Sequence, residues 1–317
     1  MITMDVEMPR MNGLTALRHI MAENPCPVIM ISSLTQEGAE TTLKALELGA
    51  LDFMPKPGSR SVEDMGKAEG DLPGKIKALA RRKAYVRLLH RSSKSPARPA
   101  GRTPAQPPGT GQAPSTAARP RFTGHTVFDV VAIGVSTGGP PAVQKILTAL
   151  PGDFRAPILI AQHMPASFTG PFAKRLDAQC SLSVKEAGAS EVLRSGTAYI
   201  CPGGKHLRLE KGKGGMLTAV VSEEPKEALY KPSASVLMES VGLVLGRRGL
   251  GVTLTGMGND GLAGTMVLKE KGGWAIAQSE TSCVVYGMPK AIVDAGLADE
   301  IVDLDKMAEA IMNHCAK

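Results

Sequence analysis

Along the second half of the chain, short runs in which nearly every position is apolar alternate with stretches whose apolar residues recur at helical spacing. The runs VFDVVAIGV, APILIAQ, GLGVTLT and WAIAQS have strand length and almost no polar interruption, as strands covered on both faces require. Between them, PSASVLMESVGLVLGRR and GLAGTMVLKEKGG read as helices. This alternation predicts an α/β domain with a doubly wound, mostly parallel sheet, whose sites lie at the carboxyl ends of the strands. One stretch departs from it. HLRLEKGKGGMLTAVV has two alternating runs around a glycine-rich turn, which predicts a β-hairpin on a sheet edge.

Upstream the pattern stops. From Ser92 to Arg121 there are seven prolines and no apolar residue larger than alanine or proline, so the segment cannot bury enough surface to offset its ordering and is expected to be a disordered linker. Before it, GKIKALARRKAYVRLLHR places Ile76, Leu79, Val86 and Leu89 at helical spacing, which predicts a basic helix. The chain thus divides into an N-terminal domain over 1–58, a basic helix and linker over 59–124, and a second domain over 125–317.

Composition changes this picture only where charge is concerned. The 317 residues carry a net charge of +7, yet twelve Lys and Arg and no Asp or Glu fall between Gly74 and Arg121, leaving the rest of the chain net acidic. With only 3% aromatic residues for base stacking, this reads as a solvated tether, and no nucleic-acid partner is expected. No run of eighteen apolar residues and no signal peptide is present, so a cytoplasmic location without membrane insertion is expected. The cysteines, Cys26, Cys180, Cys201, Cys283 and Cys315, are odd in number and form no C-x-x-C pair, which predicts reduced packing residues and no metal site.

The strand VVAIGV runs into Gly134-Val135-Ser136-Thr137-Gly138, a G-x-S-x-G followed by a helix opening with Pro140 and Pro141. Strand, turn and helix in that order are what a nucleophile elbow requires, and equally suit a tight turn with a solvent-facing serine. Of six histidines, His163 directly ends the buried strand ILIAQH, with His206 its main competitor as the base. Asp260, in VTLTGMGNDG, is the one aspartate expected at the carboxyl end of a buried strand. Ser136, His163 and Asp260 therefore form a candidate triad, in a chain order unlike that of the α/β-hydrolases. A rival reading uses the same loop: Gly256-Met257-Gly258-Asn259-Asp260-Gly261 is a G-x-G-x-x-G, and Glu280 lies twenty residues beyond Asp260, the spacing of a ribose-binding acid in a dinucleotide site. Asp260 inside a loop meant for pyrophosphate argues against a nucleotide-dependent enzyme. A non-catalytic signalling adaptor is the other alternative, and the intact Ser136, His163 and Asp260 argue against that.

With those residues in place, the second domain resembles the catalytic domain of the chemotaxis protein-glutamate methylesterases through AIGVSTGGP, QHMP, SGTAYICPGGKHL, KPSASVL, LTGMGNDG and SCVVYGMPKAI. The resemblance implies hydrolysis of glutamyl methyl esters on the cytoplasmic domains of chemoreceptors, with glutamine deamidation alongside and no catalytic cofactor. It implies Ser136 as nucleophile, His163 as base and acid, Asp260 as orienter, the N–H of Met257 as an oxyanion donor, and Thr137 as an auxiliary. Ser235 stands where the family usually shows an aspartate.

The N-terminal piece resembles a response-regulator receiver through MDVEMPRMNGLTAL, PVIMISSLT and GALDFMPKP. This implies Asp5 as phospho-acceptor from a chemotaxis histidine kinase, Ser32 as switch hydroxyl and Lys56 as phosphate-binding lysine. The sequence opens at what should be the third receiver strand, so a partial flavodoxin-like receiver is expected: truncated, or poorly folded and unregulated. Its Mg²⁺ site should be lost with the N-terminal acidic pair.

Overall fold

The computed structural model describes residues 1–56, 72–80 and 128–315, so the predicted linker and most of the predicted basic helix lie outside the described residues. The N-terminal domain is a three-stranded parallel sheet of β1 (Ile2–Asp5), β2 (Val28–Ser32) and β3 (Asp52–Pro55), in the order β1-β2-β3. Helices α1 (Gly13–Glu23) and α2 (Gln36–Glu47) connect the strands, each opened by a side chain, Asn12 or Thr35, that accepts from the backbone of its first turn. The piece is packed and not loose, with Leu17, Val28, Met30 and Leu43 all buried. Helix α3 (Leu72–Ala80) holds to it through Leu79 and through Lys75, whose Nζ lies 2.7 Å from Asp52 Oδ2 inside the domain.

The second domain is built on seven parallel strands. In chain order its elements are β4 (Val130–Val135), α4 (Gly139–Ala149), β5 (Ile158–Gln162), α5 (Ala166–Asp177), β6 (Ser183–Glu186), β7 (Ser190–Val192), β8 (Thr197–Ile200), β9 (His206–Lys211), β10 (Leu217–Ser222), α6 (Ala234–Leu245), β11 (Gly249–Thr253), α7 (Leu262–Glu270), β12 (Trp274–Gln278), α8 (Met288–Asp294), β13 (Glu300–Val302) and α9 (Leu304–Cys315). The main sheet runs β13-β12-β11-β4-β5-β8-β6. Alternation along β4 explains its apolar continuity: Val131, Ile133 and Val135 enter a core with α4, α5 and α9, while Val130 and Ala132 enter a second core with α6. The four strands read from apolar runs are β4, β5, β11 and β12, and the two helical patterns are α6 and α7.

The hairpin forms as expected between β9 and β10, but not on an edge of the main sheet. It joins β7 in a separate three-stranded antiparallel sheet. Leu207 and Leu209 of β9 pack into the core of α6, so the hairpin lies over that helix, and β6 and β13 are left as the edges of the main sheet.

The two domains share a continuous apolar cluster. Phe53 of the first stacks on Phe168 of the second, with ring centroids 4.5 Å apart. Beside them, Arg175 of α5 grips the Glu47 carboxylate with two hydrogen bonds, and Gln179 donates to the same carboxylate at 3.0 Å. Ile29, Leu51, Met54 and Leu79 of the first domain close around Val284 of the second.

Candidate active site

The chain leaves β4 toward β5 on one side and returns as β11 on the other, so the carboxyl ends of β4 and β11 flank the crevice where α/β sheets place their sites. Ser136 follows β4, His163 follows β5, and the segment reaching Asp260 follows β11. The turn at Ser136 is fixed by backbone bonds: its N–H donates to Thr255 O at 3.0 Å, and its carbonyl accepts from Gly139 N at 2.8 Å. Gly138 has φ +75° and faces Val284 so closely that an added Cβ would sit 2.5 Å from it, so no other residue fits this corner. A Cβ at Gly256 would meet Cβ of Ser136 at 2.9 Å, which brings the loop after β11 directly against the serine.

Asp260 is the most heavily bonded carboxylate among the described residues. Its Oδ2 accepts from His163 Nε2 at 2.8 Å and Ala234 N at 2.6 Å; its Oδ1 accepts from Ser233 Oγ at 2.9 Å, Ser235 N at 3.0 Å and Gly261 N at 2.9 Å. Burial alone would raise this carboxyl, but the hydrogen bond and charge of His163, with the N–H groups of Ala234 and Ser235, outweigh it and hold the group well below the usual carboxylate range. Asp260 is therefore ionised. An ionised acceptor on Nε2 assigns the ring proton to that nitrogen and leaves the lone pair on Nδ1.

The competing base is used elsewhere. His206 opens β9, is fully buried, donates from Nε2 to Pro225 O at 3.2 Å and accepts on Nδ1 from Ser233 N at 3.3 Å. Burial, ahead of its other surroundings, lowers its pKa, so it is held neutral. Thr137 is buried, with a hydroxyl that has no hydrogen-bond partner among the described residues. Met257 sits half-buried on the turn between Gly256 and Asp260. Ser235 does not leave a gap: its Oγ accepts from Gly261 N at 2.8 Å. Glu280 lies exposed in a short 3₁₀ turn.

In the first domain, Lys56 Nζ is 2.9 Å from Asp5 Oδ2 at the end of β1. Burial acts to raise the Asp5 carboxyl, but the Lys56 hydrogen bond and the N–H of Glu7 prevail and lower it. Ser32 is not turned to Asp5; its hydroxyl is buried against α2, donating to Gly38 O at 3.2 Å and accepting from Thr42 Oγ1 at 2.7 Å. Among the described residues no three His, Cys, Asp or Glu side chains converge to hold a metal.

Two residues of the site were not singled out from sequence. Tyr230 stacks flat on His163, with centroids 4.5 Å apart and planes 9° from parallel, and Gln162 binds the backbone of both Ser136 and His163. Gln162 carried a signal, as the polar residue ending a fully apolar strand. Tyr230 lies in an irregular connection and carried none.

Comparisons with known proteins place the chain in a family. The profile of the CheB methylesterases matches residues 131–311, and that of the response regulator receiver domain matches residues 1–63. The chain is 61% identical over 316 residues to "Protein-glutamate methylesterase/protein-glutamine glutaminase 1" of Oleidesulfovibrio alaskensis, covering 98% of this chain and 85% of that one. It is 62% identical over 320 residues to a similarly named protein of Nitratidesulfovibrio vulgaris, with the same coverage. The crystal structure of the Thermotoga maritima CheB methylesterase catalytic domain superposes with a TM-score of 0.56 at 37% identity, covering 58% of this chain and 97% of that domain. Among the described residues no helix is long and apolar enough to cross a membrane.

Proposed function

This chain belongs to the CheB methylesterase family, and from that premise we propose that Ser136, His163 and Asp260 carry out the hydrolysis. The enzyme removes methyl esters from protein glutamate side chains and deamidates protein glutamines, the activities that the names of its relatives state for those proteins, and chemoreceptors are the substrates in this reading. The observation that carries the residue assignment is the buried His163–Asp260 pair beside the Ser136 turn.

In this reading Ser136 Oγ attacks the ester carbonyl carbon while its proton passes to Nδ1 of His163. Asp260 holds the ring through Nε2 and offsets the imidazolium charge. Backbone N–H groups around the elbow, that of Met257 among them, receive the oxyanion. Collapse expels methanol, which takes the proton from His163. Water, deprotonated by the same ring, then frees the glutamate and restores Ser136. With glutamine, ammonia leaves in place of methanol. No cofactor is needed for either path.

Regulation follows from the domain contact. Leu51, Met54 and Leu79 reach Val284, which in turn packs on Gly138 of the serine turn. The first domain thus closes on the catalytic crevice, and phosphorylation of Asp5 by a histidine kinase, with Lys56 binding the new phosphoryl group and Ser32 turning to engage it, releases it. A cytoplasmic location follows from receptor tails as the substrate.

The test is mass spectrometry of a methylated receptor fragment after incubation with the protein, since ester hydrolysis and deamidation change mass differently. Loss of both on Ser136→Ala is expected. A Ser136→Ala chain that still released methanol at the normal rate would overturn the assignment.

A further inference from the structure

The last residue of β5 points neither into a core nor to solvent. Gln162 is fully enclosed and its Nε2 donates twice, to Ser136 O at 3.1 Å and to His163 O at 3.0 Å. The two carbonyls belong to consecutive strands just past the point where their ladder ends, which is His163 N on Val135 O at 3.0 Å. Beyond that bond nothing in the sheet registers Ser136 against His163. The amide supplies the missing rung.

The orientation of the amide is settled by its surroundings, because the opposite flip would set Oε1 against two carbonyl oxygens. Oε1 instead faces Gly139, where an added Cβ would come within 2.1 Å of it and within 2.6 Å of Val135 Cγ2. Gly139 does not take a positive φ, so this second glycine of STGG is there for space. Ser136 O also takes the Gly139 N–H at 2.8 Å. One side chain thus ties the elbow to the base, at the same Ser136 carbonyl that holds the first N–H of α4.

We propose that Gln162 is a positioning residue for hydrolysis, cross-linking the backbone of Ser136 to that of His163 so that serine and imidazole keep a fixed relation. It touches neither substrate nor proton. The proposal rests on the reading of Ser136 and His163 as nucleophile and base.

The experiment compares full-length Gln162→Met, Gln162→Asn and Ser136→Ala with the native chain. Active sites are titrated with a fluorophosphonate, and methanol release is followed over a range of methylated receptor concentrations. Gln162→Met keeps the length but removes both donors, and is expected to lower kcat per titrated site by roughly ten- to a hundredfold, the scale of a misplaced reacting pair, with KM within about twofold. Gln162→Asn keeps an amide too short to span both carbonyls and should fall between Met and native. It decides alone if the Met variant does not fold. A merely structural role would reduce the number of titratable sites and leave kcat per site intact, and that result overturns the proposal, as does a rise in KM alone. Methanol release that survives Ser136→Ala would instead overturn the assignment on which the proposal stands.

Discussion

Replacing Asp260 by Asn tests the central geometry, because the two residues have the same shape. The carboxylate receives donors on both oxygens, two on Oδ2 and three on Oδ1. An amide can accept on one side only. With its oxygen toward Ser233, Ser235 and Gly261, its NH₂ meets Ala234 N–H and His163. The backbone N–H then loses its acceptor in a buried site, which costs about 1–3 kcal/mol. The ring can respond only by giving up its Nε2 proton and carrying it on Nδ1, the atom that must accept from Ser136. A base in the wrong tautomer lowers kcat on the order of 10⁴-fold where the same substitution leaves geometry intact. Turning the amide over keeps the tautomer but leaves the Ser235 N–H without its acceptor and sets the amide NH₂ against the Gly261 N–H. Methanol release from a methylated receptor, beside a thermal melt, measures both effects. A folded Asp260→Asn chain with a tenth or more of native kcat would refute the pairing as the source of the base.

The other predictions concern the rest of the molecule. Arg175→Ala removes the two-bonded grip on Glu47 and is expected to raise the unphosphorylated esterase rate several-fold by loosening the domain contact; an unchanged or lower rate, measured as methanol release, counts against closure of the crevice. Burial favours a raised Glu47 carboxyl, but Arg175 and Gln179 win and lower it. Its folded pKa lies below the unfolded one, so the contact it supports is complete above the usual carboxylate pKa near 4.3 and is lost as pH falls through the folded value, which scattering or proteolysis of the domain junction would follow. Lys75→Met leaves the buried Asp52 carboxyl without its ion-pair partner and should destabilise the first domain by about 3–5 kcal/mol in urea, with most of it recovered when Asp52 is also made apolar. Burial, with Asp177 nearby, pushes the Cys180 thiol up to about 11, and burial pushes Cys315 up to about 12; the enclosed Cys315 should not react with a disulfide reagent at pH 8 before unfolding, and the half-buried Cys180 should react more slowly than a free thiol.

What the sequence revealed and what it hid divide along a physical line. Strands β4, β5, β11 and β12 were legible because burial on both faces leaves no room for polar residues. The meeting of Ser136, His163 and Asp260 at one edge was legible because parallel sheets put their sites at strand ends, and each follows one of three adjacent strands. The hairpin was legible from its two-residue period, but its placement was not, since that depends on Leu207 and Leu209 meeting α6, a contact far apart in sequence. The cradle of Ser233, Ala234 and Ser235 around Asp260 was hidden for the same reason. It also shows what Ser235 does here: a hydroxyl that accepts from Gly261 N stands beside an ionised carboxylate without the repulsion a second aspartate would bring.

The glycine loop that suggested a dinucleotide now has a physical account. A helix N-terminus turns its unpaired N–H groups toward whatever anion comes near, and a phosphate is the usual guest. Here Ala234 and Ser235 open α6, and Gly261 caps the start of α7; all three donate to Asp260. The anion at the meeting point of the two helices is the chain's own carboxylate. A pyrophosphate brought to the same place would meet a fixed negative charge and donors already taken. The field that would have gripped a phosphate keeps Asp260 ionised instead, and through Nε2 of His163 that charge keeps Nδ1 basic, as the role proposed for Ser136 requires. The same loop therefore excludes the nucleotide and supports the nucleophile, by one set of hydrogen bonds.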